Sequence, residues 1–207
     1  MVESTTVMVE TADRRTLEVL INGPDDGLPL LFHLGTPQGV APFGILERPM
    51  GPENIEEFGA AIAGPRALED WLNTHAPATF AVTAEDVIAS FGQLFPEVDK
   101  AALTGELAES MAESLRRAGQ QGIIGWRDDD LTLTRPWGFD LAAIEIPVSV
   151  WQGGQDKMVP YAHGVWLAEH IPGARAHLYQ DEGHISLVMP VDRILDDLLA
   201  RAGVAAS

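Results

Sequence analysis

The chain contains no cysteine, which excludes disulfides, thiolate zinc sites, iron–sulfur clusters and a thiol nucleophile together. Basic residues are scarce: 13 Lys and Arg stand against 31 Asp and Glu, a formal charge of −18 over 207 residues. A surface that negative repels phosphate backbones and anionic headgroups, so no nucleic acid and no membrane surface is expected as a partner. No apolar run approaches the ~20 residues of a membrane span. The opening MVESTTVMVETADRR also lacks the basic-then-apolar order of a secretory leader. The expectation is a soluble cytoplasmic protein.

What is present is ordinary globular composition, 46% hydrophobic and 21% charged, which argues against disorder and for a buried core. Residues 5–11 and 16–22 are short, β-branched and roughly alternating, with Asp13-Arg14-Arg15 between them, and predict a hairpin. Residues 28–32 (LPLLF) are continuously apolar, as in a parallel strand buried on both faces, and end at the loop His33-Leu34-Gly35-Thr36-Pro37. From residue 52 to 121 the chain turns rich in Ala, Glu and Leu, and two amphipathic helices are predicted. One covers 84–95, opened by Thr83; the other covers 101–118, opened by Asp99, with Leu103, Leu107, Met111 and Leu115 at steps of four. Strand patterns return at 146–151 and 174–179, alternating with helices at 161–170 and after Pro190. Strand, helix, strand, helix implies parallel pairing with crossover connections, an α/β fold.

Two loops at the ends of those late strands carry chemistry. Gly153-Gly154-Gln155-Asp156 presents a carboxylate and Glu182-Gly183-His184 an imidazole, each at the strand end where open parallel sheets place active sites. The glycines are expected to let the backbone turn sharply. Asp156 alone would read as a turn residue capping the helix at Tyr161, and His184 alone as one more structural histidine. Their joint placement is what raises both. Histidines at 163, 170, 177 and 184 recur every seven residues, but Pro172-Gly173 separates them onto different elements, so no metal site is expected. Asp128-Asp129-Asp130 lacks the glycine and distal glutamate of a calcium loop and reads as a solvated acidic turn.

With GGQDKMVP and EGHISL as its markers, the stretch 146–187 resembles the C-terminal core of the α/β-hydrolase superfamily. The 33–37 loop is similar to the oxyanion loop after the third strand in iminopeptidase-like, haloperoxidase-like and epoxide-hydrolase-like members. The 52–137 block is similar to the helical lid those members insert. The resemblance implies a mostly parallel sheet with an inserted lid. Residues 1–50 would be the first part of the core, 51–140 the lid, and 141–207 the part bearing acid and histidine. It further implies that His184 is the general base and Asp156 its orienting acid. The His33, Leu34 and Gly35 loop would supply an oxyanion amide worth about 3 kcal/mol in the transition state. Trp126, Trp137 and Phe139 would either face a small apolar ester or amide substrate or simply pack the lid on the core. No cofactor is implied.

The superfamily's G-x-S-x-G nucleophile turn does not occur. Ser90 falls in a helical pattern, as do Ser110 and Ser114, and Ser186 is too close in sequence to His184. At about 30 residues per strand–helix unit, roughly 60–90 residues that the resemblance places between the 33–37 loop and the lid are missing, the sheet centre among them. Three origins fit: residues of the whole molecule that lie outside this sequence, a true deletion, whose incomplete sheet would press it towards a homo-oligomer, or strands supplied by another chain. The edges left unpaired by a deletion favour the first. The nucleophile, Ser or Asp, would then lie outside the sequence, and with Asp the chemistry becomes epoxide or carbon–halogen hydrolysis through a His184-activated water. The alternative is a hydrolase-derived binding or scaffold protein whose acid–histidine pair is idle.

Overall fold

The computed structural model describes residues 4–10, 16–22, 50–90, 94–136 and 139–203. The predicted 28–32 strand, the 33–37 loop with His33, Leu34 and Gly35, and Trp137 lie outside them. The chain divides into two compact units, Met1–Gly35 and Thr36–Ser207. In the first, β1 (Ser4–Glu10) and β2 (Thr16–Asn22) form the expected antiparallel hairpin, with Val7 opposite Val19 and Glu10 opposite Thr16.

The second unit is a helical segment followed by a small parallel α/β element. Helices α1 (Pro52–Ala63) and α2 (Pro65–Phe80) each begin with proline, whose missing N–H costs nothing at a first helical position. Gly64 joins them at φ 119°, a conformation open to glycine and strained for other residues. Helix α3 (Ala84–Ser90) starts at a reciprocal cap: the Asp86 N–H donates to Thr83 Oγ1 at 3.1 Å, and the Thr83 N–H to Asp86 Oδ2 at 2.9 Å. This helix is shorter than the expected 84–95. Val87 is buried, Ile88 is half exposed, and Leu94 and Phe95 enter the core from beyond the helix.

The helix expected over 101–118 is two helices, α4 (Glu97–Ala102) and α5 (Gly105–Ala118), parted where Thr104 turns extended at ψ 165°. Thr and Gly are both poor helix interiors, which explains the break. Asp99 therefore caps nothing; it sits inside α4, fully buried. The acidic triplet is corrected as well. It is not a solvated turn but part of α6 (Ile124–Leu133), and Asp130 is only 4% exposed.

Strands β3 (Ser149–Gly153) and β4 (Arg175–Tyr179) pair in parallel, with Ser149 opposite Arg175 and Gly153 opposite Tyr179. Helix α7 (Tyr161–His170) connects them and α8 (Val191–Arg201) follows. β3 begins later than predicted because Pro147 offers no ladder donor, and Ile146 is exposed. The fold is mixed α/β, and among the described residues the strands make only these two two-stranded ladders. The main core gathers Val82, Val87, Leu94, Phe95, Leu103, Ala108, Ala112 and Ile185, so the helical segment packs directly on the loop that carries His184. Among the described residues, no helix is long and apolar enough to cross a membrane.

Candidate active site

Asp156 lies in the loop between β3 and α7 and is 3% exposed. Its Oδ1 accepts the N–H groups of Met158 and Val159, both at 2.8 Å, so the carboxylate does organise the approach to α7. Its Oδ2 accepts the Gln152 amide at 3.2 Å and faces His184 Nδ1 at 2.9 Å. Asp156 is thus a turn residue through one oxygen and the partner of His184 through the other, but it does not cap α7, which opens at Pro160 with no side-chain cap. With an acceptor at Nδ1, the neutral ring carries its proton there and leaves Nε2 as the basic nitrogen.

Burial lowers the His184 pKa, but the hydrogen bond and charge of Asp156, with the Asp99 charge added, outweigh it and hold the imidazole above its ordinary value. A second imidazole, His163 on α7, is pushed below the ordinary value by burial, against the pull of Asp156. Neutral His163 thus places no competing cation beside the pair at pH 7. The other seven-spaced histidines lead separate lives: His170 stacks on Trp166 and His177 on Trp151, each at 3.9 Å. Among the described residues, no three His, Asp or Glu side chains converge as a metal ion would require.

The glycines act by absence of bulk. The chain does turn at Gly154 and Gln155, but none of Gly153, Gly154 and Gly183 has a positive φ, so the turn does not need the left-handed backbone that favours glycine. A Cβ on Gly153 would meet the Gly183 carbonyl oxygen at 2.3 Å, and one on Gly154 would meet Gln180 Cα at 2.8 Å. A Cβ on Gly183 would meet Asp99 Oδ1 at 2.3 Å. They let the two loop tips and a third carboxylate crowd together.

That third carboxylate is the residue the sequence reading missed. Asp99 Oδ2 accepts the His184 N–H, and Oδ1 accepts those of Ile185 and Ser186, each at 2.9 Å. Three successive amides converge on one buried acid 85 or more residues away. The sequence signal was slight: an aspartate on the apolar side of a short helical pattern, read as a cap. The acid loop is tied to the helical segment too. The Gly51 N–H donates to the Lys157 carbonyl at 2.8 Å, and the Asn54 amide to that of Met158 at 3.4 Å.

Among the described residues, no hydroxyl is hydrogen-bonded to the His184 ring. Ser110 and Ser114 are exposed on α5, and Ser186 Oγ accepts the Gly183 N–H at 2.8 Å. Of the aromatics expected near substrate, Trp126 lines a cavity of about 1070 Å³ in the helical segment, whose wall includes Leu94 and Met158. Phe139 is 61% exposed and is not in that wall. No protein-family model matches the chain, and a search of curated proteins finds no match.

Proposed function

We propose that this chain is the acid- and histidine-bearing part of an α/β-hydrolase-type enzyme acting on a small apolar ester, amide or related substrate. One observation carries the reading: His184 Nδ1 and Asp156 Oδ2 lie 2.9 Å apart, on loops that follow adjacent parallel strands. In this reading His184 Nε2 takes the proton of an attacking hydroxyl and later returns it to the leaving group, while Asp156 holds the ring and balances its charge. The nucleophile belongs to residues outside this sequence, as do the strands that would complete the sheet. An amide of the 33–37 loop would serve the oxyanion.

The test is p-nitrophenyl acetate turnover with fluorophosphonate labelling on the whole protein, including the residues outside this sequence, comparing wild type with His184→Ala and Asp156→Asn. Turnover should fall by about 10²–10⁴-fold when the base is removed. Turnover unchanged in His184→Ala sinks the proposal. The second reading, a hydrolase-derived binding or scaffold protein, is favoured by the absence, among the described residues, of a hydroxyl hydrogen-bonded to the His184 ring. Under it, neither turnover nor label is seen in wild type although the acid–histidine pair titrates as a pair.

A further inference from the structure

Helix α4 is six residues long, too short to hold its shape alone, so its docking contacts keep it folded. It docks through Asp99, fully buried, whose two oxygens take three successive amides of the histidine loop. Oδ2 accepts that of His184 and Oδ1 those of Ile185 and Ser186, each at 2.9 Å. Ile185 adds an apolar anchor, buried in one core with Phe95 and Leu103, which flank α4 in the chain. The Gly183 N–H donates to Ser186 Oγ at 2.8 Å and closes the 183–186 stretch on itself.

His184 is thereby held at two points by carboxylates from different elements. Its N–H is on Asp99 and its Nδ1 faces Asp156 Oδ2, both at 2.9 Å. Only two side-chain bonds of a histidine rotate, so holding the backbone and one ring nitrogen fixes the direction in which Nε2 points. The acid loop is fastened to the same helical segment, through Gly51 and Asn54. A lid that lifts to admit substrate turns on a few hinge positions and leaves the catalytic groups in place. Lifting α4 would instead strip one acceptor from three amides, those of Ile185 and Ser186 buried. That cost ties the helix to the base.

We propose that Asp99 is a positioning residue for His184, and that α4 is part of the mounting of the imidazole, not a cover that lifts from it. The base role of His184 rests on the hydrolase reading; its mounting on α4 does not. Release of α4 and loss of the Asp156–His184 bond are then one event. Substrate reaches Nε2 by a route that leaves α4 in place.

The whole protein is compared as wild type, Asp99→Asn and Thr83→Ala, the last weakening the same helical segment at a cap whose hydrogen bonds stay within α3. Proton NMR reads the His184 Nδ1–H, which its bond to Asp156 shifts downfield. In Asp99→Asn that resonance should move upfield or be lost, and in Thr83→Ala it should stay. Turnover of p-nitrophenyl acetate should lose up to about 10²-fold in kcat in Asp99→Asn, as displacement of a reacting group implies, with KM unchanged. In wild type, the amides of His184, Ile185 and Ser186 should exchange hydrogen together with that of Leu103, which donates to the Asp99 carbonyl at 3.0 Å. An Asp99→Asn protein that keeps the resonance and its kcat overturns the proposal. So does equal loss of the resonance in Thr83→Ala, which would make general destabilisation the cause, or an effect on KM alone. If Asp99→Asn does not fold, wild-type exchange decides: a Leu103 amide that exchanges while the other three stay protected shows α4 lifting alone and sinks the idea. A wild type without turnover ends the hydrolase reading, while the resonance and the exchange still judge the mounting.

Discussion

Replacing Asp99 is the sharpest test of how the histidine loop is held. In Asp99→Ala the amides of His184, Ile185 and Ser186 lose their common acceptor, with Ile185 and Ser186 only 6% and 8% exposed. Hydrogen bonds to a charged acceptor are worth about 1.5–3 kcal/mol each, and three sharing one carboxylate do not add fully. A loss of about 3–5 kcal/mol is expected, a large share of a domain's stability. Asp99→Asn is more informative. Its Oδ1 can keep Ile185 and Ser186, but its NH₂ then opposes the His184 N–H, donor against donor, costing about 1–3 kcal/mol. The Asp99 charge also helps to raise His184, so the Asn variant should titrate that ring at lower pH. Urea unfolding followed by tryptophan fluorescence gives the stability, and ring-proton NMR gives the titration. An Asn variant with wild-type stability and a wild-type His184 titration would refute the reasoning, because a merely space-filling role predicts both.

Gly183→Ala should destabilise by roughly 1–3 kcal/mol, since the new methyl group falls 2.3 Å from the Asp99 carboxylate; thermal unfolding measures it. Thr83→Ala should cost about 1 kcal/mol through the lost cap at α3, again by thermal unfolding. Asp130 keeps its proton in the fold up to about pH 8, whereas the unfolded chain loses it near 3.8. The folded state binds the extra proton between those values, so stability falls as pH rises across that window, and Asp130→Asn should flatten the fall in Tm.

Much of the α/β part was legible because its signals are local. Tyr161–His170 was bounded by Pro160 and Pro172-Gly173, and the strand at 175–179 by Pro172-Gly173 before it and Asp181-Glu182-Gly183 after it. The pairing of Asp156 with His184 followed from strand ends, flanking glycines and the resemblance of GGQDKMVP and EGHISL, since adjacent parallel strands bring their outgoing loops together. Asp99 and Asp130 were misread for one shared reason. An aspartate's sequence neighbours reveal a cap or a turn but not a partner reached through tertiary packing. Asp99 finds its donors 85 to 87 residues away, and Asp130 finds Glu57 on another helix. The glycines were identified for the turn alone, because close approach of loops leaves the same residue type as a sharp turn.

The helical segment holds both halves of the acid–histidine pair, and this has a consequence for how the pair titrates. Gly51 and Asn54 fasten the acid loop, while Asp99 fastens the histidine loop. Neither tether involves the strands that a nucleophile would need, so the electrostatics of His184 are set locally. Burial alone would lower its pKa, and Asp156 reverses the sign with a hydrogen bond and its charge. Because the folded pKa is raised, the stabilisation is fully present below the unfolded value near 6.5 and is lost as pH rises through the folded value. In Asp156→Asn the reversal is removed and only the more distant Asp99 charge opposes burial. His184 should then titrate below wild type, because the hydrogen bond and charge that opposed burial are gone. The accompanying stability loss should be greatest below pH 6 and should shrink above pH 8. NMR titration of the histidine rings, with unfolding curves at pH 5.5 and 8.5, measures both. An Asn variant whose His184 titrates like wild type, or whose destabilisation grows with pH, would show that Asp156 only braces its own loop and leaves the imidazole's proton to other groups.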